Sequence, residues 1–123
     1  MTQSAIVARH DRHRRATQAA MKAIGLTLYA AEGHGSPAIT AVAPEGIDAE
    51  SLRKEVRKRF DILLAGGQDH LKGQVFRIGH LGFVCDRDIL TAVAAIEATL
   101  QDLGLGKAPT GAGVAAAAAE LTR

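Results

Sequence analysis

Lys72-Gly73-Gln74-Val75-Phe76-Arg77-Ile78-Gly79-His80-Leu81-Gly82-Phe83-Val84-Cys85 is the stretch around which this 123-residue chain is organised. Aliphatic and aromatic residues dominate Val75 to Val84, and Gly73 marks the entry, so the stretch predicts a strand. Alternation places Phe76, Ile78, His80 and Val84 on one face, with Val75, Arg77, Gly79, Leu81 and Phe83 on the other. Arg77 is the anomaly, because a guanidinium among apolar neighbours requires an anion or water. Gly79 follows on the same face and leaves space beside the cation, as glycine in a strand often does where a ligand approaches. A planar fork beside cleared space suits a carboxylate, gripped by two parallel hydrogen bonds. The competing reading pairs Arg77 with an internal Asp or Glu.

Outward from this strand, residues about 4 to 24 predict a helix capped by Ser4 and stopped by Gly25. Its centre, Arg9-His10-Asp11-Arg12-His13-Arg14-Arg15, is polar, the pattern of a helix that crosses solvent or bridges domains. Leu26 to Ala30 and Ala38 to Ala43 predict two strands, separated by the turn chemistry of residues 32–37. Asp48 predicts the N-cap of a second helix, with Ile47 and Leu52 as a hydrophobic staple. Leu52, Val56 and Phe60 form its apolar stripe, while Arg53, Lys54, Arg57 and Lys58 are solvated. Phe60 to Ala65 predicts a third strand turned by Gly66-Gly67. Downstream, Asp86 caps a helix with the stripe Ile89, Val93, Ile96, Leu100 and Leu103, ended by Gly104 and Gly106. Beyond it the Ala-rich tail has helix-forming composition. The order α-β-β-α-β-β-α predicts an α+β fold, two layers with helices packed on a small, mostly antiparallel sheet.

The composition narrows the function classes. A chain of this length forms one domain, and 47% hydrophobic residues supply a core despite only 3% aromatics. A net charge of +2 does not argue for nucleic acid. One cysteine excludes an internal disulfide, and no run reaches the length of a membrane span, so a cytoplasmic location is the expectation.

The run Phe76-Arg77-Ile78-Gly79-His80-Leu81-Gly82, with Gly66-Gly67-Gln68 before it and Asp86-Arg87-Asp88 after it, resembles the C-terminal domain of class V aminotransferases. The resemblance runs from about Ala5 into the Ala-rich tail and points to the alanine/serine–glyoxylate group, which includes chains labelled soluble hydrogenase small subunit. These are pyridoxal-phosphate enzymes of fold type I, in which the arginine of Arg-Ile-Gly binds the substrate α-carboxylate; Arg77 is the matching position. The resemblance implies residues 1–25 as a linking helix, 26–104 as the small domain and 105–123 as a Gly/Ala-rich tail. It also implies a substrate pair of small amino acid and 2-oxo acid, a homodimer when complete, and a large domain upstream. The chain would then come from a truncated or split coding region. The family's Schiff-base lysine, acidic pyridinium partner and phosphate cup come from that large domain. None of Lys22, Lys54, Lys58, Lys72 and Lys107 lies in a segment like the lysine motif, so this chain alone is expected to bind no cofactor and not to transaminate.

Other constellations have plainer readings. His10 and His13 have the spacing of a two-imidazole metal site, but no third ligand lies near, and a solvated helix face is the expectation. The basic residues of 9–15 and 53–59 suggest a phosphate-binding patch, opposed by 13 acidic residues and few aromatics. His80 and Cys85 lie roughly 16 Å apart along an extended strand and on opposite faces, too far to share a proton. Cys85 therefore reads as packing and His80 as a structural histidine beside the Arg77 segment. Gly66-Gly67-Gln68 matches the release-factor tripeptide and nothing else of that family; it reads as a turn. Two rivals to the aminotransferase reading remain: a self-standing α+β binding module without catalysis, and a basic nucleic-acid binder.

Overall fold

In a computed structural model of the protein, residues 3–29, 39–67, 73–79 and 85–123 are described. Helix α1 spans Gln3–Ala23, followed by strands β1, Thr27–Leu28, and β2, Ile39–Ala43. Then come α2, Ala49–Phe60, β3, Ala65–Gly66, β4, Phe76–Gly79, α3, Asp86–Asp102, and α4, Ala112–Leu121. The four strands form one antiparallel sheet in the order β1-β2-β4-β3. The expected α+β architecture is thus present, with one more helix at its end.

The central strand sets the layers. Phe76 and Ile78 pair with Val42 and Thr40 of β2, and all four side chains are buried. Against them lie Met21 of α1 and Ile24 just beyond it, Leu52 and Val56 of α2, and Ile89, Val93, Ile96 and Leu100 of α3. Each large side chain so buried contributes roughly 1.5–3 kcal/mol of transfer free energy, and helices and sheet hold together through this shared layer. Arg77 pairs with Ala41 of β2 and Ala65 of β3 on the opposite face. The alternation read from the sequence is the one the sheet adopts from Phe76 to Ile78; residues 80–84 lie outside the described residues.

Backbone chemistry ends the helices where the glycines predict. Gly25 takes a left-handed φ of 88°, and Leu26 N–H reaches the Met21 carbonyl at 2.9 Å while Gly25 N–H reaches Lys22. Gly104, φ 73°, repeats the pattern with Leu105 donating to Leu100. At α2, Asp48 accepts from the Ser51 N–H at 3.1 Å, satisfying a donor that the first helical turn leaves free.

Five local expectations are corrected. α1 begins at Gln3, so Ser4 lies inside its first turn rather than capping it. Phe60 is 45% exposed, because α2 ends there and the chain reverses at Asp61 in a left-handed conformation. The third strand contains only Ala65–Gly66; residues 61–64 are not strand. Cys85, not Asp86, is the N-cap of α3: its N–H donates to Asp88 at 3.0 Å, which frees the Asp86 carboxylate for other partners. Leu103, the last residue of the predicted α3 stripe, is the cap beyond that helix and is 39% exposed.

The Ala-rich segment is a packed helix. α4 lies against α1 and α3, with Ala117 fully buried. Gly113 sits so close that a methyl group there would come 2.6 Å from Ile24 Cγ2 and 3.1 Å from Val93 Cγ1. Its N–H donates to the buried Glu97 carboxylate at 2.7 Å, placing a negative charge at the positive end of α4.

Candidate substrate-binding site

Arg77 stands on the sheet face turned away from the buried layer, half-buried, with alanines at both cross-strand positions. Short neighbours leave the guanidinium room on both sides. Its Nε donates to the Gly66 carbonyl at 3.0 Å. Among the described residues no carboxylate pairs with it; Glu32 and Asp69 lie outside them. The guanidinium is therefore tethered at one nitrogen by backbone, while Nη1 and Nη2 have no hydrogen-bond partner among the described residues.

Gly66 in turn rests on α2. Arg53 binds Glu50 through two hydrogen bonds, Nε to Oε2 at 3.1 Å and Nη2 to Oε1 at 2.7 Å. A third nitrogen of Arg53 reaches the Leu64 carbonyl at 3.4 Å. Glu50 and Arg53 are only 16% and 25% exposed, and the Glu50 hydrogen bond raises the Arg53 pKa above its ordinary value. Arg53, expected to be solvated, is instead partly covered by its carboxylate partner three residues back and by the chain crossing it.

The polar centre of α1 also departs from expectation. His13, read as part of a solvated face, is fully buried. Its Nε2 lies 2.7 Å from Asp86 Oδ1, and Arg12 reaches the same oxygen at 3.3 Å. The contact ties α1 to the start of α3 across 73 residues of sequence, beyond any local pattern. Among the described residues no group of three or more His, Cys, Asp or Glu has metal-site geometry. The basic stretch of α2 is largely paired as well: Arg57 with Asp61, and Arg59 with both Glu55 and Asp102. Cys85 is exposed, with its sulfur 3.4 Å from Asp88. His80 and Gln68 lie outside the described residues. Among the described residues no helix is long and apolar enough to cross a membrane.

These carboxylates make stability acid-sensitive. The His13 hydrogen bond, then Arg12, lowers the Asp86 pKa, and Arg14 lowers that of Asp11. A carboxyl group depressed in the folded state stabilises it above its unfolded pKa of about 4, and that contribution is lost as pH falls through the lower folded value. Urea midpoints are expected to fall on acidification below about pH 4. Asp86→Asn should lower the midpoint at neutral pH and flatten this acid dependence. An unchanged pH profile in the variant would remove Asp86 from the linkage.

No protein-family model matches the chain. A protein named soluble hydrogenase, small subunit, from Synechococcus is 64% identical over 118 residues, covering 96% of this chain and 31% of that protein. A serine–glyoxylate aminotransferase from Methylorubrum extorquens is 40% identical over 108 residues, covering 86% of this chain and 27% of that protein. Ureidoglycine–glyoxylate aminotransferase from Bacillus subtilis has the same fold, with a TM-score of 0.87 at 31% identity, over 94% of this chain and 30% of that one. The chain thus spans about 30% of the length of the relatives it matches. The two-layer α+β fold matches that of the aminotransferase neighbours. The chain is homologous over nearly its whole length to the C-terminal portion of the class V aminotransferases, the serine– and alanine–glyoxylate group.

Class V aminotransferases are pyridoxal-phosphate enzymes. Lys22, Lys54, Lys58 and Lys107 are all solvent-exposed, and Lys72 lies outside the described residues.

Proposed function

We propose that this chain is the C-terminal, substrate-binding domain of a pyridoxal-phosphate-dependent aminotransferase. In this reading the enzyme moves an amino group between a small amino acid, alanine or serine, and a 2-oxo acid such as glyoxylate or pyruvate. Arg77 binds the α-carboxylate common to both. The observation that carries the reading is its setting, a guanidinium between two alanines with one backbone bond and no acidic partner among the described residues. With Nε committed to Gly66, Nη1 and Nη2 form the fork left for two carboxylate oxygens. A two-point grip stops the amino acid rotating and so holds its Cα–H bond at a fixed angle to the base. The cofactor, when bound, supplies the electron sink for that carbon. Lysine, pyridinium partner and phosphate cup belong to a large domain, and the complete enzyme is a cytoplasmic homodimer. Residues 1–25 serve as its linking helix, 26–104 as its small domain, and 105–123 as a tail whose α4 folds back onto α1.

Reconstitution tests this. The chain mixed with the separately produced large domain of a class V relative and pyridoxal phosphate is expected to convert alanine and glyoxylate to pyruvate and glycine. The chain with cofactor alone should give no turnover and no borohydride-trapped adduct at one lysine. A monomer that ignores the large domain and yields no turnover in the mixture would favour a self-standing binding module.

A further inference from the structure

A guanidinium selects a planar carboxylate only when its own plane is held, and a single bond at Nε passes that task to the acceptor. The acceptor is a carbonyl of β3, a two-residue strand at the edge of the described sheet. One flank of β3 is hydrogen-bonded to β4. The other contact is with α2, where a methyl on Gly66 would stand 2.6 Å from Glu50 Oε2 and 3.2 Å from Arg53 Nε. Arg53 also holds the Leu64 carbonyl two residues before Gly66. A short edge strand has few bonds of its own, so this buttress bears directly on where its carbonyl points.

We propose that Arg53, aimed by its two-point pairing with Glu50, is a positioning residue for Arg77: the pair braces residues 64–66 and so orients the Gly66 carbonyl that fixes the guanidinium. The functional meaning of the brace rests on Arg77 being the carboxylate grip. Removing the brace is expected to loosen Arg77 without dismantling the sheet, since Arg53 and Glu50 lie outside the apolar core.

Proton exchange at the Arg77 Nε–H, followed by nitrogen-15 NMR on the whole chain, reads this directly and needs no substrate. Arg53→Gln should speed that exchange roughly 2- to 10-fold, the range expected for weakening one hydrogen bond. Backbone amides of Val42 and Phe76 should keep their rates. Glu50→Gln, which retains side-chain shape, should act in the same direction, and decides alone if Arg53→Gln does not fold. Unchanged Arg77 exchange, or a rise matched at Val42 and Phe76, overturns the positioning role. With the large domain supplied, both variants should lower kcat/KM for alanine while leaving amines that lack a carboxylate unaffected. If the exchange effect appears but Arg77→Ala spares carboxylate discrimination, the brace stands and the substrate-binding reading falls.

Discussion

Arg77→Ala, in an assembly completed by a large domain, is expected to lower kcat/KM for every α-amino acid by about 30-fold to several thousand-fold. That span corresponds to the roughly 2–5 kcal/mol lost when one member of a desolvated charge pair is truncated. Arg77→Lys should recover only part of it, because an ammonium keeps the charge but not the planar fork. Amines without a carboxylate should be much less affected, and cofactor binding nearly unchanged. The melting temperature should move little, since the side chain is half-buried and its hydrogen bond among the described residues is one to backbone. A structural Arg77 predicts the reverse: equal loss on both substrates with a lowered melting temperature. Steady-state kinetics on a matched amino acid and amine, with melting curves, separate the two.

Phe76→Ala is the change expected to damage the fold most. Phe76 is fully buried at the centre of the sheet and belongs to the core shared by the helices. Truncating a buried phenylalanine costs about 3–5 kcal/mol in lost transfer energy and residual cavity. Domains of this kind have about 5–15 kcal/mol in total. In urea the midpoint should fall by roughly 1.5–2.5 M for a slope of about 2 kcal/mol/M. Leu63→Ala is the control: at 71% exposure it should change stability by less than about 0.5 kcal/mol. Similar losses in both variants would contradict the assignment of the core face.

Much of this was legible because the relevant signals are local. Asp48 with Ser51, the staple of Ile47 and Leu52, and the two faces of Phe76-Arg77-Ile78 each depend on residues a few positions apart. Arg77 stood out as a cation in an apolar strand. Its actual partner did not, since any residue offers a carbonyl, and only the pairing of β3 with β4 brings Gly66 within reach. His13 looked solvated because its neighbours are charged, and the carboxylate that justifies its burial lies 73 residues away. The packing of α4 was hidden for another reason. Gly113 and Ala117 are buried for being small, and a run of alanines carries no apolar stripe to show which side faces inward.

The clasp between the first and last helices constrains the order of folding. α4 docks on the second half of α1, with Gly113 against Ile24 at one end and Arg15 within 3.5 Å of Glu120 at the other. These contacts close a loop of about 100 residues, an entropic cost met only when both helices are present. A nascent chain that has emerged through α3 already has the sheet and three helices, yet the surfaces of Ile24 and Val93 beneath Gly113 remain uncovered. Until residues 112–121 dock, the seam at Ile24 and Val93 stays open to other chains.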